Sequence, residues 1–402
     1  MSTDVSYAGF DRMWADLQPV GRVASGGYRR FAWTREDHTL REWFAGECAA
    51  RGLDLVEDRM GNQWAWWGNP DATPGVVAGS HLDSVPDGGA YDGPLGVVSA
   101  LAAVDALRDS GFQPSRPIGV VNFGDEEGAR FGVACAGSRV ITGELDADRA
   151  LGLTDADGVT MGEALKRAGR PASIGTDEDA VRRIGSFVEL HVEQGRAMAD
   201  ADRYDQDHAA VAIGTDIWPH GRWRLDFVGI ANHAGTTRLE DRHDAMLACA
   251  TAVAEARGLA EKHGCVATIG KLRVEPNGVN AIPSHVTAWL DARGAEEAAV
   301  LAMVEELSEG AAAEVNRESW TPTTAFDTSL ADRLHNILGD VPMLGTGAGH
   351  DAGILSNAGV STAMLFVRNP TGVSHSPEEF AEQADCHVGV RALTAVLQDL
   401  AG

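Results

Sequence analysis

Apolar and polar positions follow two different rhythms along this chain. In the first, short and nearly unbroken apolar runs, PGVVAGS before His81 and PIGVVNF before Gly124, flank VVSALAAVDALRDSG, an apolar segment of helical length stopped by Gly111. Strand, helix and strand in that order predict a right-handed crossover in a largely parallel sheet, with chemistry collected at the strand ends. SFVELHVEQG repeats the theme, an apolar strand delivering Glu189, His191 and Glu193 just before Gly195. Upstream, Thr34 and Asp37 cap a helix running to Gly52, and DLVEDRMGNQWAWW reads as strand, turn and strand.

From about Val211 the rhythm changes. RWRLDFVGI, DAMLACATAVAEARGLAEKHG, CVATIGKLRVEP, HVTAWLDAR, EEAAVLAMVEELSEGAAAEV and WTPTTAF spell strand, helix, strand, strand, helix, strand. That order predicts an antiparallel sheet backed by two helices. After Phe326 the helical SLADRLHNIL, the Gly-rich GTGAGHDAG and the strand STAMLFV return to the first rhythm. The expected architecture is therefore α/β: a catalytic domain over 1–210 and 327–402, with a largely parallel mixed sheet between helices, interrupted by a smaller α+β domain over 211–326.

Composition narrows the functional classes. With 402 residues, 44% of them hydrophobic, the chain can bury a large core. A formal charge of −26 argues against nucleic acid and anionic membranes as partners, since both want a basic face. Cys48, Cys135, Cys249, Cys265 and Cys386 are scattered and lack CxxC spacing, which suggests neither a disulfide framework nor a thiolate zinc site. The acidic start (Asp4, Asp11, Asp16) has no apolar leader segment, and no run is long enough to span a bilayer, so a cytoplasmic protein is expected.

GSHLDSVPDGGAYDGPLG places His81, Asp83 and Asp92 in one segment rich in Gly and Pro. A solvated turn uses the same letters, as does a metal or acid/base site. Glu126 and Glu127 in GDEEG, His191 in LHVEQG and His375 in GVSHSPEE also fall at predicted strand ends or Gly-rich turns. One such residue has a bland structural explanation. His81, Asp92, Glu126, Glu127, His191 and His375 together, at strand ends and Gly-rich turns where active-site groups gather in open α/β sheets, point to chemistry.

These motifs, together with GYRRFAW, ANHAGTTR, NGVNAIPSHVTAWLDAR and GAGHDAG, resemble the dinuclear metal amidohydrolases of the M20 peptidase-like family, in the N-carbamoyl-L-amino-acid hydrolase and allantoate amidohydrolase branch. The resemblance spans nearly the whole chain. It implies two divalent ions, Zn or Mn: His81, Asp92 and His191 around one, Asp92, Glu127 and His375 around the other, with Asp92 bridging. Imidazole and carboxylate donors suit such ions, and a pair of them lowers the pKa of a shared water and polarises a carbonyl. Glu126 is then the general base and acid. Asp83 is placed to accept the other ring N–H of His81. The resemblance also implies that His233 donates to the substrate oxyanion, that Asn280 and Arg293 bind the substrate carboxylate, and that Gln194 and the backbone at Gly349 complete the pocket. His350 and Asp351 are read as supports rather than ligands, and His220, His243, His263, His285 and His387 as structural or surface residues.

The implied reaction is hydrolysis of the C–N bond of an N-carbamoyl L-amino acid or of allantoate, releasing ammonia and carbon dioxide, by a homodimer paired through the inserted domain. N-formyl or N-acyl amino acids are the alternative substrates, and a non-catalytic binding protein on the same scaffold is the rival from another class. One departure stands out: FVRNPTGVSH has Arg368 and Asn369 where the family commonly has Pro and Ser. A buried Arg must meet a carboxylate, either in the protein or in a substrate with a second acidic group.

Overall fold

The apolar runs that end in acidic or imidazole residues are central strands of one large mixed sheet. The computed structural model describes residues 7–200 and 209–402. The chain divides into two compact units, one comprising Met1–Thr215, Ala325–Leu344 and Gly349–Gly402, the other Asp216–Thr324 and Gly345–Ala348.

In the first unit the strands lie in the order Asp54–Glu57, Gln63–Trp67, Ile118–Phe123, Gly75–His81, Ile184–Val192, Ser361–Val367, followed by Val211–Ile217. The four from Ile118–Phe123 to Ser361–Val367 are mutually parallel, and the strands flanking them pair antiparallel. Burial on both faces explains why these four read as continuous apolar runs rather than alternating ones. Parallel pairing also brings their carboxyl ends to one edge, with His81 opposite Phe123 and His191 opposite Phe366 in register.

Helix Pro94–Asp109 starts with Pro at its first turn and is buried along most of its length, packed on Gly75–His81 and on the C-terminal helix Gln383–Ala401. Thr34 caps helix Arg35–Ala50 as its pattern predicts, accepting from the Asp37 N–H. The Gly- and Pro-rich segment after His81 is pinned by backbone bonds, Ser84 N–H to Arg30 O at 3.1 Å and Tyr28 N–H to Gly88 O at 3.0 Å. Arg30 is itself buried, donating to the carbonyls of Leu17 and Val20.

The second unit holds an antiparallel sheet ordered Glu314–Thr321, His220–Val228, His285–Arg293, Val266–Glu275, with helices Ala245–His263 and Glu297–Gly310. Chain order is strand, helix, strand, strand, helix, strand, as the polar pattern requires. The last boundary differs from expectation. The Ala- and Glu-rich run to Val315 reads as helix, yet the helix stops at Gly310 and Glu314–Thr321 pairs with His220–Val228. Strand pairing there overrides local helix propensity. Among the described residues, no helix is long and apolar enough to cross a membrane.

Candidate active site

Asp92 is the hub of the site. It sits one residue before Gly93, whose φ of 84° begins helix Pro94–Asp109, and a Cβ at Gly93 would overlap the His81 ring. Glycine is therefore required twice over, by conformation and by the close approach of the imidazole. Asp92 Oδ1 lies 3.4 Å from His81 Nε2 and 3.1 Å from His191 Nε2, while Oδ2 lies 3.3 Å from His375 Nε2. Glu127 Oε2 is 3.6 Å from that same His375 nitrogen. Two sets of potential cation donors result, His81, Asp92, His191 and Asp92, Glu127, His375, each with its ligand atoms within 4.8 Å of one another.

The donor chemistry fits divalent ions. His81 and His191 are fully buried, and among the described residues the Nε2 atom of each has no hydrogen-bond partner although Asp92 is within reach. A buried ring nitrogen left without a hydrogen bond, beside a carboxylate, has the arrangement a cation satisfies. Their other nitrogens are occupied: His191 Nδ1 lies 2.8 Å from the Val192 carbonyl, and His81 Nδ1 lies 3.2 Å from the Asp83 carbonyl. These contacts orient the rings with Nε2 toward Asp92.

Asp83 does more than the sequence suggests. Its carboxylate is 3.4 Å from His81 Nδ1, and it also accepts the backbone N–H groups of Glu126, at 3.2 Å, and Glu127, at 3.0 Å. One side chain thus ties the end of Gly75–His81 to the turn after Ile118–Phe123. Glu126 is buried, with Oε2 3.6 Å from His81 Nε2 and Oε1 accepting from the Cys135 thiol at 3.3 Å. Burial pushes its carboxyl well above the usual carboxylate range, against the pull of His81. Burial and Asp92 likewise raise Glu127, to about 8. Asp92 moves the other way: burial alone would raise it, but the three imidazoles hold it well below its ordinary value.

Gln194 is brought to the same place, donating from Nε2 to Asp92 Oδ2 at 2.9 Å and to Ser374 Oγ at 3.3 Å. His350 is buried with its ring edge on His191, centroids 4.5 Å apart, and forms a further cation-capable group with Glu189 and His191. Asp351 accepts from the Ser138 hydroxyl. Gly349 is exposed, immediately before them.

In the second unit, His233 lies on the short strand Asn232–His233, paired with Ala281–Ile282, and the Asn280 carbonyl accepts from Ala234 N–H at 3.0 Å. His233 is exposed and its Nδ1 accepts from Gly235 N–H at 3.0 Å, which puts the proton of the neutral ring on Nε2, a donor facing outward. Arg293 donates to Asp291 from Nε and Nη2 and to the Gly347 carbonyl from Nη1. Among the described residues, three of its five N–H groups are engaged, and two remain for a ligand. His233 and Asn280 lie beyond the His285 end of strand His285–Arg293, whereas Arg293 closes the other end, roughly 26 Å away at about 3.3 Å per residue.

Of the two partners the sequence leaves open for Arg368, the structure shows a protein carboxylate. Its guanidinium is paired with Asp385 on the C-terminal helix, at 2.8 Å from both Nε and Nη2. Its charge is met inside the protein, so it is not carried forward as a substrate contact. Asn369 instead folds its own loop, accepting from Thr371 and Gly372 and donating to the Val373 carbonyl. Sequence reasoning also passes over Glu379, which accepts the backbone N–H groups of Tyr91 and Asp92 at 2.8 and 3.0 Å.

A family model for peptidase family M20/M25/M40 matches residues 77–399. The chain belongs to this family. Among M20 relatives, the N-carbamoyl-L-amino acid amidohydrolase of Geobacillus stearothermophilus is 35% identical, over 97% of this chain and 98% of that protein. The allantoate amidohydrolase of Bacillus subtilis is 30% identical, over 96% of this chain and 95% of that one. A solved amidase of the hydantoinase/carbamoylase family from Burkholderia multivorans matches with a TM-score of 0.85 at 28% identity, covering 100% of this chain and 99% of that chain.

Proposed function

We propose that this M20 chain is a metal-dependent amidohydrolase that cleaves the C–N bond of an N-carbamoyl L-amino acid or of allantoate, releasing ammonia and carbon dioxide. The observation that carries the reading is one carboxylate, Asp92, shared by two triads of cation donors with the buried Glu126 alongside. The relatives, named as amidohydrolases over nearly their full length, support it.

In this reading His81, Asp92 and His191 hold one Zn²⁺ or Mn²⁺ and Asp92, Glu127 and His375 the other. Such ions, when bound, acidify a water and polarise the scissile carbonyl. Glu126 takes the proton of the attacking water and returns it to the departing nitrogen. The burial that raises its proton affinity suits both halves of that transfer. Asp83 keeps His81 and the Glu126–Glu127 peptide in place. Gln194 and the Gly349 backbone border the substrate, Arg293 takes its carboxylate with the two remaining N–H groups, and Asn280 adds to that contact. His233, with its proton on Nε2, donates to the developing oxyanion.

The distance between Arg293 and the His233–Asn280 pair supports a homodimer. One small substrate cannot touch both ends of a nine-residue strand, so the two groups serve different pockets unless a second copy of the chain supplies one of them. The inserted unit has surface for such pairing: the edge strand Val266–Glu275 and helix Ala245–His263 leave Val266, Leu272, Leu247 and Val253 exposed.

A substrate panel tests the reading. The metal-replete protein is incubated with allantoate and with N-carbamoyl, N-formyl and N-acetyl amino acids, and both ammonia and free amino acid are measured. Ammonia from the ureido substrates is expected. Amino acid release only from the formyl or acetyl compounds would reassign the chain to acyl hydrolysis, and no turnover of any would favour a binding protein.

A further inference from the structure

We propose that Glu379 is a positioning residue that sets the divalent-ion affinity of the site by clamping together the two loops that carry Asp92 and His375; this rests on the metal-site reading above. Glu379 is buried, and its two carboxylate oxygens face two different segments. Oε1 accepts Tyr91 N–H at 2.8 Å and Asp92 N–H at 3.0 Å, across 287 residues of chain in the second case. Oε2 accepts the Ser374 hydroxyl at 3.3 Å, next to His375. The same hydroxyl accepts from Gln194 Nε2, which also reaches Asp92 Oδ2. Glu379, Ser374 and Gln194 therefore close a ring of hydrogen bonds around the one carboxylate common to both donor sets.

Both clamped loops need outside support. The Asp92 turn precedes a helix start whose N-cap, Gly93, has positive φ, and the backbone N–H groups of Tyr91 and Asp92 are both satisfied by the Glu379 carboxylate. His375 is a non-glycine residue at φ 55°, a conformation held only when its surroundings over-determine it. Glu379 is no ligand in this scheme, because its oxygens are already engaged by N–H and O–H donors. Space confirms how closely it is seated: a Cβ at Gly89 would overlap the Glu379 side chain.

The clamp depends on acceptor geometry, which makes the amide a conservative test. Glu379→Gln keeps an oxygen for the Tyr91 and Asp92 N–H groups and can donate from its NH₂ to Ser374 Oγ, while Glu379→Ala removes the link. The experiment combines hydrogen exchange on the chelator-treated proteins with Mn²⁺ titration calorimetry, folding being checked by circular dichroism. Glu379→Ala should speed exchange of the Tyr91 and Asp92 amides at least tenfold and weaken Mn²⁺ binding at least tenfold, with Glu379→Gln within about threefold of wild type on both. Gly89→Ala retains the carboxylate but takes its space, and should reproduce both losses if Glu379→Ala does not fold. Unchanged exchange and unchanged Mn²⁺ affinity in Glu379→Ala or Gly89→Ala overturn the proposal, as does a Gln variant as impaired as Ala. If wild type binds neither Mn²⁺ nor, in the same titration, Zn²⁺, the metal reading fails and the affinity claim for Glu379 falls with it, whereas the exchange arm still reports separately whether the clamp exists.

Discussion

Asp92 and Glu126 lie 3.4 and 3.6 Å from His81 Nε2, yet their loss should have different signatures. Glu126→Gln preserves shape and removes the base, so the protein should keep its metal while turnover drops by roughly 10²–10⁴-fold. Asp92→Ala removes the group common to both donor sets and should lose metal as well as activity. Elemental analysis alongside ammonia release separates the two, and a metal-replete Glu126→Gln enzyme of near-normal activity would exclude its role as base. Arg368→Ala is expected to act on stability instead: it leaves the buried Asp385 without its cation, at a cost of about 1–3 kcal/mol, and lowers the melting temperature without altering the preference between acidic and neutral substrates. His81, Asp92, Glu127 and His191 are legible in the sequence because each ends an apolar run or sits in a Gly-rich turn. The partners of Arg368, Gln194 and Glu379 are not, since hydrogen bonds linking segments 17, 102 and 287 residues apart carry no local pattern.

At the scale of elements, the strand Ser361–Val367 that leads toward His375 is anchored at its start by a helix cap. Asp327 caps Thr328–Leu338, accepting from Ser329 and Leu330 N–H, and it also takes the Ser361 hydroxyl at 2.6 Å. That hydroxyl bond, ahead of the opposing effect of burial and helped by the backbone N–H groups, lowers the Asp327 carboxyl below its ordinary value. A depressed carboxylate stabilises the fold above its unfolded pKa of about 3.9, and the contribution fades as pH falls through the folded value. Asp327→Ala should therefore cost about 1 kcal/mol at pH 7 and progressively less below pH 4. Thermal melts of both proteins at several pH values check this, and a gap that widens in acid would contradict it. Elements with strong apolar runs, such as Gly75–His81 and Ser361–Val367, are readable from the chain alone. The 296–315 segment misleads because Ala and Glu favour helix wherever they stand, whereas its last residues belong to a strand chosen by the neighbouring sheet.

For the whole molecule, the acidic chain suits an enzyme for small substrates, and the reading proposed above has it work as a dimer. The donor set of the first unit and the exposed His233 of the second are proposed to act on one substrate across two copies. Mixed dimers of Glu126→Gln and His233→Ala subunits, each inactive alone, should then regain part of the activity, because one pocket in the pair recovers both groups. No recovery in verified mixed dimers would place His233 in its own subunit's pocket. The most direct test of the central claim is ammonia release from an N-carbamoyl L-amino acid or allantoate before chelation, after chelation, and after Mn²⁺ or Zn²⁺ is restored. The account predicts activity, its loss, and its return with the metal; turnover that persists in fully stripped protein, or none in the metal-replete protein, would contradict it.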